Sequence, residues 1–319
     1  SVTASFLLIL TGTLTLKQAF WAVNWNVMGI FVGTLIVADI FMESRVPAYL
    51  AEIIVNRAKN TAWSILLICL MTGFISAFVE NVATVLIVAP IALSLARKLK
   101  INPMNMMIAI AISSNLQGAA TLIGDPPSML LGGFAKMTFG DFFFYMGRPS
   151  IFFAVELGAL ASLVVLYCIF RHEREKVQLV PVEKVKSWFP TILLVSLIVL
   201  LALSSFFDKG FSCVAGVLCM AAGLVAILWQ AFFRKTNIIK GIKGLDWDTT
   251  FFLMGVFILV GSITQTGLIE KVAMHLSAVV GDNLFFGYSL LVFLAVAISA
   301  FVDNVPFLAA MLPVAITVS

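Results

Sequence analysis

Long apolar runs separated by short polar or charged segments make up most of this 319-residue chain. Several runs reach the roughly 20 residues that an α-helix needs to cross the hydrocarbon core of a bilayer. None shows the strict alternation of a membrane β-barrel strand. The pattern therefore predicts an all-α polytopic membrane protein. The apolar runs are 25–42, 62–79, 83–96, 104–112, 151–170, 188–206, 211–233, 248–264, 284–302 and a last one from 307 onward.

Composition supports this prediction and limits the kinds of binding partner that are expected. Hydrophobic residues make up 61% of the chain and charged residues 11%, whereas soluble domains carry about 25% charged residues. The net charge of +4 is spread over several segments, so the expected partners are the lipid bilayer and a small ion rather than nucleic acid. Whether the chain forms a homodimer stays open. Four cysteines without paired spacing predict neither disulfides nor a metal site; they are Cys69, Cys168, Cys213 and Cys219.

Two basic connecting segments predict how the chain is oriented in the membrane. Exactly two predicted spans separate them, so both lie on one side, which the positive-inside rule identifies as cytoplasmic. We therefore expect a multi-pass protein of the cell membrane, of the bacterial inner-membrane type. The basic residues are Arg171, Arg174, Lys176, Lys184 and Lys186 in the first segment, and Arg234, Lys235, Lys240 and Lys243 in the second.

One short sequence segment occurs almost unchanged at two places in the chain. The sequence ISAFVENV at 75–82 returns as ISAFVDNV at 298–305, 223 positions later. Each copy places an acid beside an asparagine within an apolar stretch, where polar groups are costly unless they find partners. Internal repetition in a membrane chain is typical of transporters built from two related halves.

The repeat extends upstream, and its direction follows from counting spans. Trp25 and Gly33 recur as Trp247 and Gly255, 222 positions later. The number of crossings between the two copies is odd, so the second copy enters the membrane from the opposite face. The chain is therefore predicted to contain two inverted repeats, the arrangement used for alternating access.

The first cluster of candidate residues lies where the chain reverses between 62–79 and 83–96. Helix ends exposed there offer carbonyls and side-chain oxygens to a cation such as Na⁺, or amide hydrogens to an anion. The alternative is that Asn81 and Thr84 serve only as N-terminal caps of the helix in the second arm. The pair is interpreted as a re-entrant hairpin, with two ordinary spans as the alternative. The residues are Ser76, Glu80, Asn81 and Thr84, with Ser299, Asp303 and Asn304 in the second copy.

The second cluster interrupts an apolar run at 113–128. Its prolines remove backbone donors, and Gly118 and Gly124 permit strained dihedral angles. A helix broken in this way indicates a transport site, the alternative being an external loop. Asp125 is the strongest candidate for a titratable or cation-binding group. The candidates are Ser114, Asn115, Gly118, Thr121, Gly124, Asp125 and Pro126. Glu156, inside 151–170, could relay protons, but a structural pairing is favoured.

The segments 78–86 (FVENVATVL) and 118–128 (GAATLIGDPPS) resemble the ion transporter superfamily. This group includes arsenite efflux permeases, NhaD-type sodium/proton antiporters, the melanosomal P protein and divalent anion:sodium symporters. The Gly-Asp-Pro-Pro form is most similar to ArsB/NhaD-type permeases. The resemblance implies two inverted repeats, each with a re-entrant helical hairpin and a broken transmembrane helix. It also implies a first half-site, with Na⁺ as the expected bound ion, at Asn81, Thr84, Gly118 and Thr121, and a second half-site beginning at Asp303 and Asn304.

These observations give an expected domain organisation. The first repeat spans 1–170, with a hairpin at about 62–98 and a broken helix at about 103–133. A cytoplasmic linker, 171–187, leads to a second repeat at 188–319 with a hairpin at about 284–319. By the resemblance, the second broken helix would lie near position 340, so the second repeat is expected to be incomplete at its C-terminal end.

The predicted function is secondary active transport of a small anion, such as arsenite or a carboxylate, coupled to Na⁺ or H⁺. A Na⁺/H⁺ antiporter and a passive anion channel on the same scaffold are the alternatives. No enzymatic activity is expected, because neither His-Glu-x-x-His nor Gly-x-Ser-x-Gly occurs in the sequence. No cofactor other than Na⁺ is expected.

Overall fold

A computed structural model describes residues 1–99, 102–172, 184–208, 210–233, 241, 243–280 and 283–318. Most of these residues are helical. The helices are α1 (Val2–Leu10), α2 (Leu16–Ala22), α3 (Trp25–Glu43), α4 (Val46–Arg57), α5 (Thr61–Ser76), α6 (Asn81–Leu99), α7 (Met104–Gly118), α8 (Pro126–Ala135), α9 (Ile151–Phe170), α10 (Phe189–Ser204), α11 (Val214–Phe233), α12 (Trp247–Gln265), α13 (Leu268–Val280), α14 (Leu284–Ser299) and α15 (Asn304–Val318). Arg174, Lys176, Arg234, Lys235 and Lys240 of the basic segments lie outside the described residues.

Five described helices are long and apolar enough to cross a membrane, in agreement with a helical membrane protein. They are α3, α6, α9, α11 and α12. The segment predicted as the first hairpin is occupied by α5 and α6, and that predicted as the broken helix by α7 and α8. A small antiparallel ladder, which the sequence did not predict, precedes α9; it pairs β1 (Phe144–Tyr145) with β2 (Arg148–Pro149).

The buried side chains form two clusters. The larger one joins α3, α8, α10, α11, α12 and α15, and includes Leu122 and Ile123 from the break between α7 and α8. The smaller one joins α4, α5, α6, α7 and the end of α9. The break belongs to the larger cluster and α6 packs in the smaller one, while α5 contributes Ile75 to the larger cluster and Ile65 to the smaller. The first predicted half-site therefore lies where the two clusters meet.

Helices α3 and α11 approach each other closely through small residues. A β-carbon on Gly33 would lie 2.3 Å from the backbone carbonyl carbon of Cys219. Nearer the start of α3, the side-chain oxygen of Asn26 accepts a hydrogen bond from the backbone N–H of Gly216 on α11 at 2.8 Å. Small residues allow helices in a membrane to pack backbone against backbone, and here they join the beginning of the chain to its second half.

The corresponding contact occurs between α1 and α12. A β-carbon on Gly255, the repeat counterpart of Gly33, would lie 2.8 Å from Oγ of Ser1. The hydroxyl of Ser5 donates to the carbonyl oxygen of Gly255 at 3.0 Å. Each of the two repeated helices thus packs against a helix supplied by the other half of the chain.

Candidate functional site

The first hairpin turns between α5 and α6 through residues 77–80. Backbone N–H groups of Ala77, Phe78 and Val79 donate to carbonyls of the last turn of α5, which closes that helix. The carboxylate of Glu80 then accepts from the N–H groups of Val82 at 3.1 Å and Ala83 at 2.8 Å. Glu80 therefore caps α6 and satisfies donors that a helix start leaves free. The capping role considered for Asn81 belongs to Glu80.

Asn81 is consequently free to bind outside its own helix. Its Oδ1 accepts a short hydrogen bond from the hydroxyl of Ser76, and its amide nitrogen lies 3.4 Å from Oδ1 of Asn115 on α7. Oγ of Ser114 lies 2.9 Å from Oγ of Ser76 and 3.2 Å from the carbonyl oxygen of Asn81, either of which can accept its proton. These bonds join both arms of the hairpin to α7.

The break between α7 and α8 contacts the same turn. The buried hydroxyl of Thr121 donates to the carbonyl oxygen of Ala77. A β-carbon on Gly118 would lie 2.3 Å from Oδ1 of Asn81, and one on Gly124 would lie 2.9 Å from the carbonyl oxygen of Ala77. Neither glycine has a positive φ. The expectation that they permit strained dihedral angles was wrong. Gly118 is required because the amide of Asn81 approaches too closely for a side chain, and Gly124 because an added β-carbon would lie 2.3 Å from the carbonyl oxygen of Gly118 as well as close to that of Ala77.

Asp125 begins α8. Its Oδ1 accepts from the N–H of Ser128 at 2.9 Å, and Pro126 and Pro127 occupy the first two helical positions, where their missing N–H groups cost nothing. The side chain is 6% exposed. Asp125 lines a cavity together with Glu80, Gly124 and Pro126, and with Thr34 from α3. Two acidic residues, Glu80 and Asp125, thus line one small cavity.

Four helix ends meet at this site: the C-termini of α5 and α7 and the N-termini of α6 and α8. Helix C-termini attract cations, and N-termini attract anions. Both N-termini already hold a carboxylate of the chain itself, Glu80 on α6 and Asp125 on α8. The remaining electrostatic character of the site is therefore suited to a cation.

Thr84, the remaining candidate of this group, is buried one turn into α6, where its hydroxyl donates to the carbonyl oxygen of Glu80 at 3.0 Å. In the described structure this bond lies within one helix and does not join α6 to α7.

The second hairpin repeats the local geometry of the first. The hydroxyl of Ser299 donates to Oδ1 of Asn304, as Ser76 does to Asn81. Oδ1 of Asp303 accepts from the N–H of Val305 at 2.8 Å and so caps α15 as Glu80 caps α6. Ser299, Asp303 and Asn304 are exposed, and no hydrogen bond among the described residues joins them to the first site.

The whole chain, residues 1–319, matches the family model described as citrate transporter. The chain belongs to this citrate transporter family. It is accordingly a multi-pass membrane protein of a transporter family, and the similarity to the ion transporter superfamily inferred from its motifs is confirmed.

Three relatives illustrate the range of this family. An uncharacterised transporter of Mycobacterium tuberculosis (strain CDC 1551 / Oshkosh) is 27% identical over 92% of this chain and 68% of its own length. An uncharacterised transporter of Synechocystis is 27% identical over 97% of this chain and 70% of its own length. The P protein of Mus musculus is 25% identical over 93% of this chain and 45% of its own length.

In this member of the citrate transporter family, sequence reasoning missed some residues of the site. The carbonyl of Ala77 receives the Thr121 hydroxyl, and Thr34 of α3 lines the Asp125 cavity. A carbonyl has no sequence signal of its own, and Thr34 lies within the predicted apolar run 25–42, where nothing in the local sequence marks it as a site residue. Only the tertiary arrangement identifies them.

Proposed function

We propose that the full-length protein is a secondary active transporter that moves a small anion coupled to Na⁺ or H⁺ by alternating access. The observation that carries this proposal is the repetition of the hairpin turn. A serine–asparagine bond and a carboxylate cap occur at Ser76, Asn81 and Glu80, and again at Ser299, Asn304 and Asp303. Two equivalent turns in one chain are what a transport site would need if each half of the chain contributed one turn to it.

Inverted repeats are part of this proposal. Helices α5 and α14 both have 16 residues and begin after an asparagine cap, Asn60 and Asn283, 223 positions apart. The reciprocal packing of α3 on α11 and of α12 on α1 is what two halves related by a twofold axis would give. The odd number of predicted crossings makes that axis lie in the membrane plane.

Re-entrant hairpins are part of the proposal, and the short first arm α5 supports them, although the second arm α6 is long enough to cross a membrane. Sixteen residues of α-helix span about 24 Å, which is shorter than the roughly 30 Å hydrocarbon core. The polar turn beyond α5 is hydrogen-bonded to α7 and to the α7–α8 break. Irregular backbone at membrane depth is tolerated where protein or a wet cavity surrounds it.

Na⁺ at the first turn is the proposed coupling ion. The helix C-termini of α5 and α7 supply carbonyl oxygens, and Asn81, Gly118 and Thr121 lie at the junction, with Thr84 one turn into α6. Asp125, which faces the adjoining cavity, is the proposed group through which protons would couple instead. The anion is proposed to bind beside the cation, where the hairpin tips meet the broken helices, and carboxylates are the first class to test because the family is described as citrate transporters.

Transport by the reconstituted full-length protein tests the proposal. Uptake of citrate, succinate and arsenite into proteoliposomes is expected to follow an imposed Na⁺ or pH gradient, and to fall at least tenfold in Asn81→Ala and Asp125→Ala. Flux that ignores both gradients and is unchanged in both variants would contradict it. Flux driven only by the anion's own electrochemical gradient would identify a channel, and proton-driven Na⁺ movement without an anion would identify an antiporter.

A further inference from the structure

An acid and an amide pair lies inside the membrane, between α9 and the end of α7. Glu156 is the sixth residue of α9, about 8 Å from the start of that helix, which by the predicted orientation is its non-cytoplasmic end. The amide nitrogen of Gln117 donates to Oε2 of Glu156 at 3.2 Å. Gln117 itself lies about 20 Å along α7 from Met104, at the cytoplasmic side. The two depths are consistent with a hydrocarbon core of roughly 30 Å, and both place the pair well below the surface.

The surroundings of Glu156 offer no opposite charge among the described residues. The helices that pack most extensively against α9 are α5 and α7. Neither contains Asp, Glu, Lys, Arg or His, and the one titratable side chain on them is Cys69 of α5. Helix α9 adds Tyr167 and Cys168, which lie three turns further along. An ionised acid without an opposite charge is costly in hydrocarbon, and a neutral amide does not balance it.

The amide of Gln117 is only half satisfied when its nitrogen faces the acid. Its side chain is 5% exposed, and Oε1 receives no hydrogen bond from any described residue. The same side chain lines a small cavity together with Ser113 and Ser162, whose hydroxyls provide polar atoms there. Buried polar atoms in native proteins have partners with few exceptions. The arrangement therefore leaves both a charge and an acceptor without compensation.

A proton on Glu156 would compensate both. A half-turn of the amide about its last side-chain bond exchanges oxygen and nitrogen within the same volume, and it leaves Cγ of Gln117 where packing against Gly73 holds it. Oε1 then faces the acid, and only the protonated carboxyl can donate to it, because a carboxylate solely accepts. Nε2 then faces the cavity, where serine hydroxyls can accept its protons.

We propose that Glu156 is a proton-binding site, and that its bound proton is donated to Oε1 of Gln117. Loss of the proton leaves a carboxylate, which the opposite orientation of the amide serves through Nε2. Because Gln117 directly precedes Gly118, where an added β-carbon would lie 2.3 Å from Oδ1 of Asn81, the reorientation occurs one residue from the hairpin-turn site. The inference goes beyond the proposed function, in which Asp125 is the group that would couple protons.

Infrared difference spectroscopy of the purified full-length protein in lipid bilayers at neutral pH tests the inference without transport. The parent protein is expected to show a C=O band of a protonated carboxyl that is lost in Glu156→Gln. Gln117→Leu should keep this band and shift it to higher wavenumber, because the O–H group has lost its acceptor. Glu270→Gln, the same change at an exposed acid of α13, is the matched control and should keep the band unshifted.

Identical carboxyl spectra of the parent and Glu156→Gln would overturn the inference, and an unshifted band in Gln117→Leu would overturn the assignment of Gln117 as acceptor. If Glu156→Gln does not elute as a single species on size exclusion, labelling of the parent protein with dicyclohexylcarbodiimide decides. The acid proton moves to one carbodiimide nitrogen, the carboxyl oxygen bonds to the central carbon, and acyl migration to nitrogen leaves a stable N-acylurea.

This reagent enters lipid and requires a protonated carboxyl, whereas an acid in water at neutral pH is almost wholly ionised. Peptide mass spectrometry is therefore expected to show the adduct forming at Glu156 at least about tenfold faster than at Glu270. Labelling of Glu156 no faster than that of Glu270 would overturn the inference.

Discussion

A β-carbon on Gly118 would lie 2.3 Å from Oδ1 of Asn81, so α7 ends in direct contact with the amide of the hairpin turn. Gly118→Ala is expected to displace Asn81 and break its bonds to Ser76 and Asn115. Because overpacking a tight contact costs about 1–3 kcal/mol, we expect a loss of that size in the free energy of unfolding in mixed micelles. Gradient-driven uptake should fall at least tenfold.

Gly158→Ala is the matched control, since the nearest atom to its added β-carbon is 3.7 Å away. It should unfold and transport as the parent protein does. Equal behaviour of the two alanine variants would show that α7 does not press on the turn.

Asp125 combines a cap with a buried carboxyl group, and two substitutions separate these roles. Asparagine can still accept the N–H of Ser128, so Asp125→Asn should change the free energy of unfolding by less than about 0.5 kcal/mol. Asp125→Ala loses the cap and should cost about 1 kcal/mol. Both variants should lose gradient-coupled uptake. Full coupling in Asp125→Asn would show that only the cap matters.

The two repeated serines should differ in their effect on stability. Ser76 is fully buried, donates to Asn81 and can accept from Ser114, whereas Ser299 is exposed and donates only to Asn304 among the described residues. Leaving buried partners unsatisfied costs about 1–3 kcal/mol, so Ser76→Ala should destabilise the protein by that amount. Ser299→Ala should cost below about 1 kcal/mol. The reverse order would contradict the burial described above.

The contact between α3 and α11 should tolerate no side chain. A β-carbon on Gly33 would lie 2.3 Å from the backbone carbonyl carbon of Cys219. A backbone, unlike a side chain, cannot relieve such a contact by changing its rotamer. Gly33→Ala is expected to cost about 3 kcal/mol or to abolish folding, as measured by monodisperse yield and unfolding midpoint. Gly244→Ala, with nothing within 4 Å of its added carbon, should leave both unchanged.

The long apolar helices could be predicted because their signal is local. Membrane-spanning helices need long uninterrupted apolar runs, and the bounds of α5 and α6 fall within a few residues of those expected. The two turns could be predicted because the sequence repeats there. Asn81 and Ser114 were chosen as polar residues in an apolar setting, and they do hydrogen-bond to the same turn.

The shorter elements were missed for a physical reason. Helix α13 buries Ile269 and Ala273, four residues apart, whereas its other side chains whose burial is described are exposed. Helix α4 buries Ala51 and Val55 in the same way. Such amphipathic helices carry a 3.6-residue period rather than a long apolar run. Helix α2 did have a start signal, the capping box of Thr15 with Gln18.

The roles of individual residues inside the site depended on contacts that no local pattern contains. Gly118 could be identified as important, but the reason lay in atoms of Asn81, more than 30 positions away, and at Gly124 it lay in the carbonyl oxygens of Gly118 and Ala77. Likewise, Glu80 could be identified as an acid within an apolar stretch, while its capping of α6 required the geometry of the turn. Tertiary proximity decides between such readings.

The exchange of helices between the two ends of the chain limits how the protein can be divided. Gly33 is covered by α11, and Gly255 is covered by α1. A cut between α9 and α10 would leave α3 and α1 in one fragment and α11 and α12 in the other. Each fragment would then expose the glycine of its repeated helix and retain the helix that covers the glycine of the other fragment. Such fragments should be unstable alone and should reassemble when co-expressed, so the two halves behave as interlocked partners rather than as independent folding units.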